Sequence, residues 1–207
     1  MRQRSAAASS RDSSEPANDR ARAQAARLMS ALIFIVDTLL SLALFVALLR
    51  LFLQWTRADF RNPISQAVVR LTNPLVMPLR RILPPIGKLD TASVVTVAIV
   101  ALGDVAIVSY LHGYEMPPPL IWLREAAIEI VRVSLWTYFY AIFLYALLSL
   151  IAPGGYSPVQ SLLTSLCEPV LRPFRRIIKP IGGLDLSPLW AGIAIQALLI
   201  LLADAWR

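Results

Sequence analysis

The chain has 207 residues, 57% hydrophobic and 16% charged, with mean hydropathy +0.62, too little charge to cover a soluble domain of that size. A net charge of +7 in so apolar a chain points to basic loops against lipid headgroups rather than to nucleic acid. One cysteine, Cys167, and one histidine, His112, exclude an intramolecular disulfide, a cysteine-based metal cluster and a paired-histidine site, and argue against a histidine-dependent triad.

Residues 1–28 are rich in Arg, Ala and Ser and are expected to be disordered, or to precede the natural start at Met29. A first unit, residues 29–112, opens with an apolar span over about 31–54. That span is too long for a signal peptide and lacks a small-residue cleavage pattern. Trp55 suits the interface, and Arg50 is expected to snorkel there. Asn62-Pro63 then reads as a helix start. Ile64, Ala67, Val68 and Leu71 recur at i, i+3, i+4 and i+7, which predicts an amphipathic helix lying in the interface. Pro74 and Pro78 should end it after about two and a half turns. Pro85-Ile86-Gly87 reads as a turn, and Asp90 as the N-cap of a second span over about 92–111, which carries Asp104.

Residues 113–127 form a Pro-rich connection with Glu115, Pro117, Pro118 and Pro119. A second unit, residues 128–207, repeats the plan. Its spans are predicted over about 128–152, aromatic at Trp136, Tyr138, Phe139, Tyr140 and Phe143, and about 186–205. Between them Ser157-Pro158 starts a helix with Val159, Leu162, Leu163 and Leu166 on one face. Pro180-Ile181-Gly182 is the second turn and Asp185 the second cap.

The two units are copies. Pro74–Asp90 (PLVMPLRRILPPIGKLD) and Pro169–Asp185 (PVLRPFRRIIKPIGGLD) align without gaps at an offset of 95 residues. Each unit has an even number of spans, so the copies enter the bilayer from the same side. The expected fold is an all-α membrane protein: four transmembrane helices as two parallel two-span repeats about a pseudo-two-fold, each with an interfacial helix and a Pro/Arg-rich motif. Basic residues concentrate in the repeated loops, so the positive-inside rule places those loops in the cytoplasm once the tail is set aside.

Arg80, Arg81, Arg175 and Arg176 are the first candidates for chemistry, as anchors or as bidentate holders of lipid phosphate or of a partner's acidic segment. Asp37, Asp104 and Arg132 are charges within apolar runs. The repeat offset sets Arg132 opposite Asp37 and leaves Asp104 opposite Leu199, without a partner. No nucleophile elbow, phosphate-binding glycine loop or metal-ligand spacing occurs. No catalytic residue, cofactor or metal is therefore expected.

QWTRADFRNPISQ with LTNPLVMPLRRILPPIGKLD, then YSPVQ with EPVLRPFRRIIKPIGGLDLSP, resemble the YggT (YlmG-like) family of small bacterial membrane proteins, from Met29 to the C-terminus. The tail departs from that family's pattern, and Lys88 stands opposite Gly183. The resemblance implies a role in osmotic tolerance or ion homeostasis, with chloroplast relatives linked to cytochrome assembly and nucleoid distribution. It brings no catalytic residue. The expectation is a non-enzymatic inner-membrane scaffold or assembly factor contacting anionic lipid, a membrane-protein partner or a second copy of itself. The alternative is an ion-homeostasis protein acting in osmotic stress, a small channel or transporter accessory.

Overall fold

The computed structural model describes residues 2–85, 90–115, 117–151, 157–178 and 185–206. These form six helices and no strand: α1 (Arg2–Trp55), α2 (Pro63–Ile82), α3 (Thr91–Leu111), α4 (Pro119–Ile151), α5 (Pro158–Ile177) and α6 (Ser187–Trp206). Four stretches are long and apolar enough to cross a membrane: Arg22–Trp55, Thr91–Leu111, Pro119–Ile151 and Ser187–Asp204. The turns at Pro85-Ile86-Gly87 and Pro180-Ile181-Gly182, and the Lys88/Gly183 mismatch, fall wholly or partly outside the described residues.

The ends of the spans have local causes. Arg57, with φ 53°, closes α1 in the left-handed region. The Ala58 amide reaches back to Leu53 O at 3.0 Å, and the Arg57 amide to Gln54 O at 3.3 Å. Gly113, φ 73°, closes α3 in the same way, with the Tyr114 amide on Ser109 O at 3.1 Å. The two caps share a geometry, but only one uses the residue that adopts it without strain.

Four helices are longer than the sequence suggests. α1 continues N-terminally through the tail expected to be disordered; its Ala- and Arg-rich composition has high helix propensity, yet every described side chain from Arg22 to Leu32 is exposed. α4 begins at Pro119, inside the expected connection, because proline suits the first helical turn. At 1.5 Å per residue α4 is about 50 Å long, beyond the ~30 Å hydrocarbon core, so its first turns reach past the bilayer.

α2 and α5 are each 20 residues, not two and a half turns, and run straight through their prolines, Pro74 and Pro78 in one, Pro169 and Pro173 in the other. A proline costs a free helix on the order of 3 kcal/mol. Here each helix is held at both ends. Asn62 caps α2 by accepting the Ile64 amide at 2.9 Å, and Ser157 caps α5 by accepting the Gln160 amide at 3.1 Å. The far ends are held by the ion pairs described below. The α2 stripe packed on protein is Ser65, Val68, Thr72 and Val76, so Ala67 and Leu71 of the predicted face lie exposed. In α5 Leu162, Leu163 and Leu166 are buried as read, while Val159 is exposed.

Within each repeat the helices pack alike: α1, α2 and α3 touch one another, as do α4, α5 and α6. Between repeats α3 and α4 pack together, α1 touches α4 and α5, and α2 meets α5. The core joins both repeats through Leu44, Leu48, Ala101, Ile142, Leu166 and Leu171.

Candidate functional site

Each repeated motif is closed by an ion pair ten residues apart. Arg80, in the last turn of α2, donates to the Asp90 carboxylate at the start of α3. Arg175, in the last turn of α5, places Nε 2.9 Å from Asp185 Oδ2, just before α6. The two pairs are related by the 95-residue repeat. Asp90 Oδ2 also accepts from Ser93 Oγ at 2.8 Å and Gln54 Nε2 at 3.1 Å. It occupies the cap position of α3 without capping a backbone amide, whereas Asp185 Oδ1 does accept one, from Ser187 at 2.9 Å. Burial pushes the Asp90 carboxyl up, but the bonds from Arg80, Ser93 and Gln54 outweigh it and hold the group below the usual carboxylate value. Asp185 is lowered likewise: burial raises it, and Ser187 and Arg175 more than offset that.

A second polar layer lies above each clasp, and here the repeats diverge. Arg50 does not snorkel. It is 3% exposed, and Nη1 donates to Thr72 Oγ1 at 2.8 Å, Asn73 Oδ1 at 3.0 Å and Val69 O at 3.4 Å. Val69 neighbours Arg70, whose carbonyl loses its amide partner because Pro74 has none. At the equivalent of Arg50 the second repeat has Tyr145, whose hydroxyl accepts from Arg175 Nη2 at 2.9 Å. Arg175 Nη1 also binds Glu168 Oε2 at 2.7 Å, and Glu168 stands where the first repeat has Asn73.

The four candidate arginines are therefore two kinds. Arg80 and Arg175 are bound within the chain. Arg81 and Arg176 are exposed and have no hydrogen bond or ion pair among the described residues.

The intramembrane charges gather at the opposite end of the bundle. Arg132 pairs not with Asp37 but with Glu129, one turn earlier on α4, at 2.7 Å. Asp37 and Asp104 remain within electrostatic reach of Arg132. Asp104 is 5% exposed, and its Oδ1 has no hydrogen-bond partner among the described residues, nor does the buried Glu125 Oε2. Such a carboxyl is stable in an apolar surrounding only as the neutral acid or against a cation. No group of three or more His, Cys, Asp or Glu side chains among the described residues is placed to hold a metal ion.

Arg50, Tyr145, Glu168 and Glu129 escaped the reading of single motifs. The signal for the first three was present as mismatches across the repeat, Arg50 against Tyr145 and Asn73 against Glu168.

The comparisons agree with this duplicated layout. The sequence model of the CCB3/YggT family matches twice, over residues 29–111 and 125–206. An uncharacterized protein of Pseudomonas aeruginosa is 41% identical over 173 residues, covering 82% of this chain and 86% of that protein. The uncharacterized protein YggT of Escherichia coli K12 is 35% identical over 161 residues, covering 78% and 83%. An uncharacterized protein of Vibrio alginolyticus is 34% identical over 177 residues, covering 85% and 95%. No solved structure matches. With four membrane-length helices and two family matches on its two repeats, the chain belongs to the CCB3/YggT family.

Proposed function

We propose that the protein is a non-enzymatic scaffold of the bacterial inner membrane, whose two repeated loops hold anionic lipid or an acidic partner segment at the cytoplasmic face. The observation that carries this is the division of the arginine pairs. Asp90 and Asp185 take the first arginine of each pair and fix the loop, leaving Arg81 and Arg176 exposed at the helix end. A guanidinium presented in this way matches a phosphate or carboxylate bidentately. α2 and α5 serve as interfacial helices on this reading, and exposed Leu71, Leu75 and Met77 lie against lipid.

The test is delipidation of the protein in nanodiscs containing phosphatidylglycerol, followed by native mass spectrometry. Arg81→Gln/Arg176→Gln should lose retained phosphatidylglycerol without loss of thermal stability, and the Lys double variant should recover only part of it. Equal retention in all three overturns the reading.

A second reading, ion homeostasis, draws on Asp104, whose buried Oδ1 has no hydrogen-bond partner among the described residues. Its test is potassium and sodium flux in proteoliposomes. Flux that Asp104→Asn abolishes would replace the scaffold reading.

A further inference from the structure

Equivalent helices of the two repeats meet, α1 on α4 and α2 on α5, but the remaining contacts between repeats run in one sense only. α4 packs on α3, and α5 touches α1, but the counterpart contacts, α1 on α6 and α2 on α4, are absent among the described residues. A true two-fold makes every such contact twice. The relation that carries the first repeat onto the second therefore does not return to its start, and it leaves two surfaces open.

One is a groove. A cavity of about 1010 Å³ runs between α4 and α6 along Phe139, Ile142, Phe143, Gly192 and Ala197. The first-repeat counterparts of that lining include Leu44, Ala47, Leu48 and Val97, all buried in the core with Ala126 and Ala141 of α4 and Leu163 and Leu166 of α5. In the first repeat, then, helices of the second fill this space.

The other is a stripe. On α4 the inward stripe includes Trp122, whose indole donates to Leu102 O of α3 at 3.0 Å, and the buried Ala126 and Thr137. Its counterpart on α1 includes Arg27, Ala31 and Leu42, all exposed, Leu42 at 53%.

From these two surfaces we infer that the groove between α4 and α6 receives α1 of a second copy, in the register that α4 takes against α3. The contact continues an interface the chain already makes within itself. It is heterologous, so copies join head to tail and close as a ring where the rotation permits. The groove floor suits a helix, because small residues let backbones approach in a bilayer that supplies no hydrophobic drive. At Gly192 an added Cβ meets only Phe139 Cε2, at 3.9 Å.

The Trp122–Leu102 contact, carried forward by 95 residues, names the pair that should meet: Arg27 of one copy and Ala197 of the next. Two differently tagged full-length chains, one Arg27→Cys and one Ala197→Cys, are co-expressed and treated in membranes with a short thiol-to-thiol crosslinker, since an indole's reach exceeds a disulfide span. A mixed dimer is expected at least fivefold above that of Arg27→Cys with Leu201→Cys, which lies on α6 outside the groove lining. Gly192→Phe added to the Ala197→Cys chain should abolish it, and Gly192→Ala should leave it. Absence of the mixed dimer, as for a groove that holds only lipid, overturns the inference. So does a yield equal at Ala197 and Leu201, or one indifferent to Gly192→Phe.

Discussion

Tyr145 stands in the second repeat where Arg50 stands in the first, and each fastens its span to the neighbouring proline-bearing helix by opposite chemistry. Arg50 brings the charge from the span to neutral acceptors on α2, Thr72 and Asn73. Tyr145 offers a neutral oxygen to a charge on α5, Arg175, which Glu168 and Asp185 already balance. Removing one partner of a buried polar contact leaves the other unsatisfied, at a cost of about 1–3 kcal/mol. Arg50→Met should therefore destabilise the protein by that amount in detergent unfolding. Tyr145→Phe should cost only about 0.5–1 kcal/mol, because Arg175 keeps its two carboxylates.

The clasps predict an ordering and a pH dependence. The Asp90 side chain is 12% exposed and Asp185 is 39% exposed. Asp90→Asn should cost about 1–3 kcal/mol and Asp185→Asn under about 1 kcal/mol. Both carboxyls are lower in the folded than in the unfolded chain, so below neutrality the unfolded chain binds more protons. Their stabilisation is complete above the ordinary aspartate value of about 3.9 and is lost as pH falls through the folded values. Acid unfolding followed by circular dichroism should show a shallower loss in Asp90→Asn than in the parent.

Cys167 should be inert. It is fully buried, and burial pushes its thiol up to about 12, with Arg175 only partly opposing. The thiolate fraction near neutrality falls by roughly three orders of magnitude against an ordinary cysteine at about 8.5. Maleimide should leave native membranes unlabelled at pH 7.5 and label fully in SDS. Rapid labelling of the folded protein would contradict the packing of α5 described above.

The matching span caps give a paired test. A Cβ added at Gly113 would meet no atom within 4 Å, so Gly113→Ala is penalised only for its left-handed backbone, by about 1 kcal/mol. Arg57→Gly removes the same strain from the end of α1 and should raise the thermal midpoint by roughly 1–2 °C.

Four apolar helices of membrane length, their duplication and the helix starts at Asn62-Pro63 and Ser157-Pro158 were legible in the chain alone. They follow from local physics: the length of an apolar run against bilayer thickness, and the side chain that satisfies a helix's first amides. The lengths of α2 and α5 were not, because proline's local preference was overridden by Arg50 and Asp90 on α2 and by Tyr145 and Asp185 on α5, which reach them from other parts of the chain. Nor could a sequence show that the two arginines of each RR pair differ, since they are identical in type and adjacent. Only the return of the chain over ten residues puts Asp90 beside Arg80 and Asp185 beside Arg175, leaving Arg81 and Arg176 outward. The same holds for symmetry. Duplication is written residue by residue, but whether two copies close on each other depends on how α4 seats against α3, a packing relation that tertiary structure alone decides.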